Sequence, residues 1–258
     1  MNKALKVILI FLISFVMCTG AYAANPCISW YCVRNKEHAQ PKLSNELNFV
    51  ENYDLIWCDK ENDGFNDGEK VIYLTFDAGY ENGNIKKIVD VLKEEDVKAT
   101  FFILDNMILK NKDLVSKMIE DGHLIANHTM KHKDMTKFTK IEDFEKELTS
   151  LEELYRETFG VDMKKIYRPP EGKVSEENLK WAKELGYKTV MWSFAYADWD
   201  NNKQPSCEAA MKKILDNLHN GEIMLLHPTS KTNAEIMKAL IKDLKGKGYR
   251  FATVDEIR

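Results

Sequence analysis

Val71-Ile72-Tyr73-Leu74-Thr75-Phe76-Asp77-Ala78-Gly79 opens as an apolar, β-rich run and ends in an acid and a glycine. Residues 84–95 follow with apolar side chains at helical spacing, and a second β-rich run occupies 97–103. A near-continuous apolar run reads as a strand buried on both faces. Strand, helix and strand in succession read as parallel strands joined by a right-handed crossover. Outward from this unit the same rhythm reaches the C-terminus. β-rich runs at 124–126, 166–167, 187–192, 223–226 and 249–254 alternate with amphipathic stretches at 112–121, 141–159, 175–185, 207–218 and 232–244. Gly122, Gly160, Gly186, Gly221 and Gly246 stand where helices should stop. Seven strands in one series predict an α/β fold closed, or nearly closed, into a barrel. In such barrels chemistry gathers at the strand C-terminal ends.

The 258 residues are 44% hydrophobic and 30% charged with a net charge of −4, which excludes a disordered or collagen-like chain and argues against a nucleic-acid grip. Lys3 and Lys6, the apolar run 7–16 and Ala21-Tyr22-Ala23 have the order of a signal peptide over residues 1–23, an uncleaved anchor being the alternative. The run is too short for a comfortable membrane span, which takes roughly 20 residues. Loss of 1–23 removes two lysines and no acid, so the net charge falls to −6. The expectation is an exported protein with no stable membrane span after cleavage. Residues 24–69 are irregular and polar, with Trp30, Tyr31, Tyr53 and Trp57 as scattered anchors, and 70–258 carry the repeating pattern. Beyond the leader stand Cys27, Cys32, Cys58 and Cys207; outside the cytosol they allow three pairings, or remain free thiols. Asp59-Lys60-Glu61-Asn62-Asp63-Gly64 opens like a calcium loop, but its twelfth position is Lys70, so it reads as an acidic surface loop.

Four segments directly follow a predicted strand. Asp77 precedes a glycine, the place either of a turn residue or of an acid whose pKa a cleft can tune. Asn127-His128-Thr129-Met130-Lys131-His132 sets two histidines four apart, which on one helical face would bring both imidazoles to a single divalent ion. Arg168-Pro169-Pro170-Glu171-Gly172 is either a Pro-Gly turn or a fixed cation able to orient a carboxylate. Leu225-Leu226-His227-Pro228 adds a third imidazole, which alone would read as a core histidine. Together they suggest hydrolysis of an amide or ester. A metal on His128 and His132 would polarise the acyl oxygen, and Asp77 would accept the water proton. His227 would protonate the leaving amine, and a backbone N–H, that of Glu171, would stabilise the oxyanion. No G-x-S-x-G is present and no cysteine sits in a nucleophile setting.

In the order of these motifs the sequence resembles the polysaccharide deacetylases, the carbohydrate esterases with a NodB homology domain. Thr75–Gly79, His128–His132, Arg168–Gly172, Ala197-Asp198-Trp199 and Leu225-Leu226-His227 correspond to the family's five motifs over 70–258. The resemblance implies a distorted (β/α)7 barrel and removal of acetyl from N-acetylated sugars. It implies Asp77 as base, His227 as acid, and His128 and His132 as ligands of a divalent metal, zinc by ligand type. Asp198 and Arg168 would tune His227 and Asp77, and Trp199 would wall the acetyl pocket.

Tyr80-Glu81-Asn82, residues 168–176 and 192–199, Ser230-Lys231, Asn233-Ala234-Glu235 and Asn35-Lys36-Glu37-His38 are similar to the branch that forms muramic δ-lactam in spore formers. That likeness implies a peptidoglycan glycan strand as substrate and muramic acid freed of its peptide by an amidase, as a step toward spore-cortex δ-lactam. Tyr80, Glu171, Trp199 and Lys173 would contact the substrate, with Arg168 or Lys173 on the lactyl carboxylate. Ala78 departs from the family pattern, since many members carry a metal-binding Asp there. Two imidazoles leave a zinc one protein ligand short of the usual three. The ion would be weakly held, completed by water, substrate or Asp77, or absent. A glucosamine- or chitooligosaccharide-directed deacetylase and a glycan-binding pseudoenzyme are the alternatives.

Overall fold

In the computed structural model, which describes residues 27–33, 37–63 and 69–257, the run beginning at Val71 is an eight-residue strand buried along almost its whole length. The leader at 1–23 and the pair Asn35-Lys36 lie outside the described residues. In chain order the elements are β1 (Ile28–Ser29), β2 (Leu55–Ile56), β3 (Val71–Ala78), α1 (Ile85–Glu94), β4 (Thr100–Ile103), α2 (Asp105–Lys110), α3 (Lys112–Glu120), β5 (Leu124–Asn127), α4 (Ile141–Phe159) and β6 (Ile166–Tyr167). They continue as β7 (Lys173–Val174), α5 (Glu176–Glu184), β8 (Lys188–Val190), α6 (Cys207–Asn217), β9 (Glu222–Leu226), α7 (Lys231–Gly246) and β10 (Arg250–Ala252).

All seven expected strands enter one parallel sheet, with β3 at its centre. β9 runs along one edge of β3 over Ile72–Phe76. On the opposite edge β10 pairs with its first half and β4 with its second. From β4 the order continues through β5 and β6 to β8. Beyond β8 the chain bridges back to β9 at Phe194 and Met224, and the Ser193 N–H donates to the Ile223 carbonyl at 3.1 Å. The sheet thus curls until its ends meet, as the strand count predicted.

Alternation along β3 divides its side chains between two layers. Ile72, Leu74, Phe76 and Ala78 join the apolar layer between sheet and helices, where Phe76 stacks on Phe101 with ring centroids 5.0 Å apart. Val71 and Tyr73 belong to a second cluster inside the curl, with Phe102, Ala126, Val190 and Ile223. Asp77 has the parity of this inner set, at the C-terminal end of the strand. The helices cover the outer layer because their apolar residues recur at three and four: α1 buries Ile85, Ile88, Val89 and Leu92.

Two local expectations are corrected. Gly246 lies within α7, which runs past residue 244, and the left-handed turn falls at Gly248 (φ +84°). The six-residue α2 was not anticipated, being too short to show a period. The segment before β3, polar in sequence, also takes part in the sheet. β2 pairs with β8, Cys58 bridges to Glu222, and Trp30, Leu47, Val50 and Trp57 pack on Val174, Leu179 and Met191.

The seam between this segment and the barrel depends on Gly221. Its φ is +69° and an added Cβ would lie 2.4 Å from the Asp59 carbonyl oxygen, whereas Gly160, at φ +71°, has open space around it. Gly160→Ala should therefore cost about 1–2 kcal/mol for the left-handed backbone alone, and Gly221→Ala distinctly more. Urea denaturation of both variants checks this; equal losses would show that the seam relaxes around a methyl group.

Candidate active site

Strand β3 delivers Asp77, the loop after β5 delivers His128 and His132, the turn after β6 delivers Arg168 and Glu171, and the loop after β9 delivers His227. Asp77, His128, His132, Glu171 and His227 line one cavity of about 700 Å³, with Tyr80 and Trp199 also on its wall.

The Asp77 carboxylate accepts a hydrogen bond from Arg168 Nη1 at 2.8 Å through Oδ1, and Oδ2 stands 3.7 Å from His128 Nε2. Burial works to raise the carboxyl's pKa, but the charges of Arg168, His128 and His227 overcome it and hold the group below its ordinary value. Asp77 is therefore a carboxylate with one oxygen committed and one facing the imidazoles.

His128 is 2% exposed, and its Nδ1–H donates to the Arg168 carbonyl at 2.9 Å. A carbonyl only accepts, so this bond places the proton on Nδ1 and leaves the Nε2 lone pair toward Asp77. Burial pushes the imidazole's pKa down to about 4, so it is neutral at neutral pH. The His132 ring lies 5.0 Å from it, centroid to centroid. The expected helical face does not exist. The chain from His128 to His132 is a loop, with Thr129 (φ +73°) and His132 (φ +55°) in left-handed conformation. Asn127 Oδ1 accepts the Thr129 N–H at 2.8 Å and Thr129 Oγ1 accepts the His132 N–H at 3.0 Å. Side-chain clamps, not helix periodicity, bring the two rings together.

His227 presents the opposite bias. Its Nδ1–H donates to Asp198 Oδ1 at 2.7 Å and its backbone N–H to Asp198 Oδ2 at 2.8 Å. Burial would lower the imidazole's pKa; the hydrogen bond to Asp198 and the charges of Asp198 and Asp77 raise it above the ordinary histidine value. Asp198 itself is 1% exposed and sits behind His227, away from the cavity.

Other expected site residues are placed differently. Arg168 is fully buried. Nε and Nη2 donate to the carbonyls of Val190 and Met191, each at 3.1 Å, and the guanidinium lies 4.1 Å above the Phe102 ring. It braces Asp77 from beneath the floor and cannot reach a lactyl carboxylate. Lys173 does not line the cavity either. Its ammonium is paired with Glu171 at 2.8 Å and Asp134 at 3.2 Å, so it is no free cation for that group. Glu171 takes a left-handed backbone (φ 58°, ψ 8°) at the wall. Trp199 is 63% exposed and forms the rim rather than an enclosed pocket, while the Tyr80 hydroxyl accepts a bond from Asn201 Nδ2 at 2.7 Å.

The donor set fits a divalent ion only in part. His128, with Nδ1 anchored and Nε2 open, and His132 supply two imidazoles suited to zinc. Ala78 supplies nothing, and among the described residues no group of three histidine, cysteine or carboxylate side chains is arranged to hold a metal.

Sequence reasoning quoted Trp192, Tyr196 and Leu225 only as motif residues and did not foresee that they form, with Leu104, an apolar cavity wall. It gave no role to Asn233, whose Nδ2 donates to Asp198 Oδ2 at 2.6 Å. A signal for Asn233 existed: it shares the buried stripe of α7 with Ile236, Met237 and Leu240, and an amide on such a stripe needs a partner.

Comparison with known proteins agrees with this geometry. The sequence profile of the polysaccharide deacetylase family matches residues 65–190. The chain is 40% identical to the peptidoglycan-N-acetylmuramic acid deacetylase PdaA of Bacillus subtilis, over 90% of this chain and 86% of that protein. It is 38% identical to an uncharacterised 30.6 kDa protein of Geobacillus stearothermophilus, over 95% and 90% of the two chains. The solved structure of Bacillus subtilis PdaA, a family 4 carbohydrate esterase, superposes with a TM-score of 0.83 at 38% identity, covering 90% of this chain and 97% of that one. A family 4 carbohydrate esterase from Bacillus anthracis follows at 0.72 and 36%, over 90% and 96%. With the curled parallel sheet and the cavity at its strand ends, these likenesses place the chain in the polysaccharide deacetylases, the amide-cleaving hydrolases of carbohydrate esterase family 4.

Proposed function

We propose that this protein removes the N-acetyl group from muramic acid in peptidoglycan after an amidase has taken off the peptide, as a step toward the muramic δ-lactam of spore cortex. One observation carries the chemistry. Two titratable groups of opposite bias share a cavity, Asp77 kept ionised by Arg168 and His227 biased toward its protonated form by Asp198. Likeness to PdaA over nearly the whole described chain supports muramic acid over glucosamine, since a peptidoglycan-N-acetylglucosamine deacetylase of Bacillus cereus is 33% identical over 73% of this chain. The leader-like residues 1–23 support export to the wall side of the membrane, and no helix among the described residues is long and apolar enough to cross a membrane.

In this reading Asp77, its Oδ1 held by Arg168, accepts the proton of an attacking water through Oδ2. The new C–O bond forms at the acetyl carbon, and the Glu171 backbone N–H stabilises the oxyanion. His227 gives the Nε2 proton to the sugar nitrogen as the C–N bond breaks, releasing acetate and a free amine. A divalent ion, zinc by its nitrogen donors, would be held by His128 and His132 and would supply polarisation of the acetyl oxygen. Tyr80 and Trp199 at the rim would meet the sugar ring.

Mass spectrometry of muropeptides, from intact and amidase-treated peptidoglycan incubated with residues 24–258 and zinc, tests the reading. Acetyl should leave only peptide-free muramic acid, and Asp77→Asn should lower the rate about 10²–10⁴-fold. Loss from glucosamine instead would redirect the specificity, and no loss from either substrate would favour a glycan-binding protein.

The pH profile provides a second test. His227 must be protonated to donate, so activity should fall as pH rises through its raised pKa. Asp198→Asn removes the charge that helps raise it and leaves only a neutral amide oxygen to accept from Nδ1. The alkaline limb should move to lower pH, with kcat reduced about 10²–10⁴-fold. An unmoved limb would assign that titration to another group.

A further inference from the structure

Behind His227 a buried polar network returns to the cavity wall by a second route. Asn233, near the start of α7, is fully buried, yet each polar group of its side chain has a partner. Nδ2 donates to Asp198 Oδ2 at 2.6 Å and to the His227 carbonyl at 3.1 Å. Oδ1 accepts from the Tyr196 hydroxyl, and Tyr196 lines the cavity. The Asn233 backbone N–H donates to Ser230 Oγ at 3.0 Å, which fixes the first turn of the helix. Patterning alone would favour leucine at this position, so the amide stands where only satisfied hydrogen bonds make it tolerable.

We propose that Asn233 is a positioning residue for the deacetylation, acting through Asp198 on His227 and oriented by Tyr196. This rests on the reading of His227 as proton donor. The argument is geometric. Asp198 has two oxygens and three donors: His227 Nδ1–H on Oδ1, and the His227 backbone N–H and Asn233 Nδ2 on Oδ2. By loading Oδ2 and also gripping the His227 carbonyl, Asn233 prevents the carboxylate from turning and keeps Oδ1 on Nδ1. That bond leaves Nε2 as the nitrogen free to exchange a proton with substrate. Tyr196 sets the direction of the amide. Its hydroxyl donates to Oδ1, so Nδ2 must face Asp198; a reversed amide would oppose two acceptors.

The test compares Asn233→Leu, Tyr196→Phe, Asp198→Asn and His227→Ala on a peptidoglycan fragment from which the wild type releases acetate. Readouts are kcat, KM, the thermal midpoint and the side-chain Nδ1–H signal of His227 in ¹⁵N-labelled protein. Asn233→Leu should lower kcat about 10–100-fold with KM preserved, and the Nδ1–H signal should shift or lose its protection from exchange. Tyr196→Phe, which keeps the ring, should change kcat and the signal in the same direction by less, and it carries the test if the leucine variant does not fold. A lower thermal midpoint with kcat and the signal unchanged in both variants would overturn the proposal while Asp198→Asn stays impaired. Full activity in His227→Ala would instead overturn the reading of His227 as donor.

Discussion

The site stands on a guanidinium that never meets solvent. Arg168 lies between sheet and cavity floor with Nε and Nη2 on the carbonyls of Val190 and Met191, Nη1 on Asp77, and its face against Phe102. Desolvating such a cation is costly, and the cost is offset only where geometry is good and the remaining donors are satisfied. The parallel sheet supplies that geometry. β6 ends at Tyr167 and β8 at Val190, so residue 168 projects from one strand end toward the carbonyls that close its neighbour. The Arg168 carbonyl also takes the His128 proton. One residue thereby sets the charge of the carboxylate and the tautomer of the first imidazole.

Across the cavity the polarity is inverted. A buried carboxylate, Asp198, holds an imidazole, where at Asp77 a buried cation holds a carboxylate. Each reactive group is the more exposed member of its pair: the Asp77 side chain is 11% exposed against 0% for Arg168, and His227 is 26% exposed against 1% for Asp198. Charge is thus fixed from behind while the reactive atom stays accessible. Both braces come from strand ends or the loops beyond them, so curling the sheet brings Asp77 and His227 to one cavity.

What could be read in advance follows from the range of the interactions. The strands and long helices were legible because burial imposes a period, as in Ile85, Ile88, Val89 and Leu92 of α1. Asp77, His128 and His227 were legible because reactive side chains directly after strands fall at the barrel mouth. Arg168 was found, but its burial was not, since a residue after a strand can turn inward or outward with the same neighbours in sequence. The proximity of His132 to His128 was expected for the wrong reason. A spacing of four suggested a helix, whereas two left-handed residues and the Asn127 and Thr129 clamps make the approach. Charge and loop position suggest Lys173 for the lactyl carboxylate, but its pairing with Glu171 and, across the fold, with Asp134 is set by the tertiary structure.

Ala78 shows how strand parity and ion binding interact. The residue is fully buried and belongs to the apolar layer with Leu74 and Phe76, so its contribution here is packing. On the proposed reading, the demand for metal binding would then fall on His128 and His132. His128 is well prepared, because its tautomer is set and burial keeps it neutral. His132 is exposed and positioned by its backbone, and the Asp77 oxygen facing His128 is the one the water proton would reach in the proposed mechanism. An ion drawn strongly onto that oxygen would weaken the base, whereas an ion held by imidazole nitrogens would leave the carboxylate free to accept. On the proposed reading, alanine at this place separates two tasks that one acidic cluster would otherwise share: ion affinity would rest with the histidines, and basicity with Asp77 against Arg168.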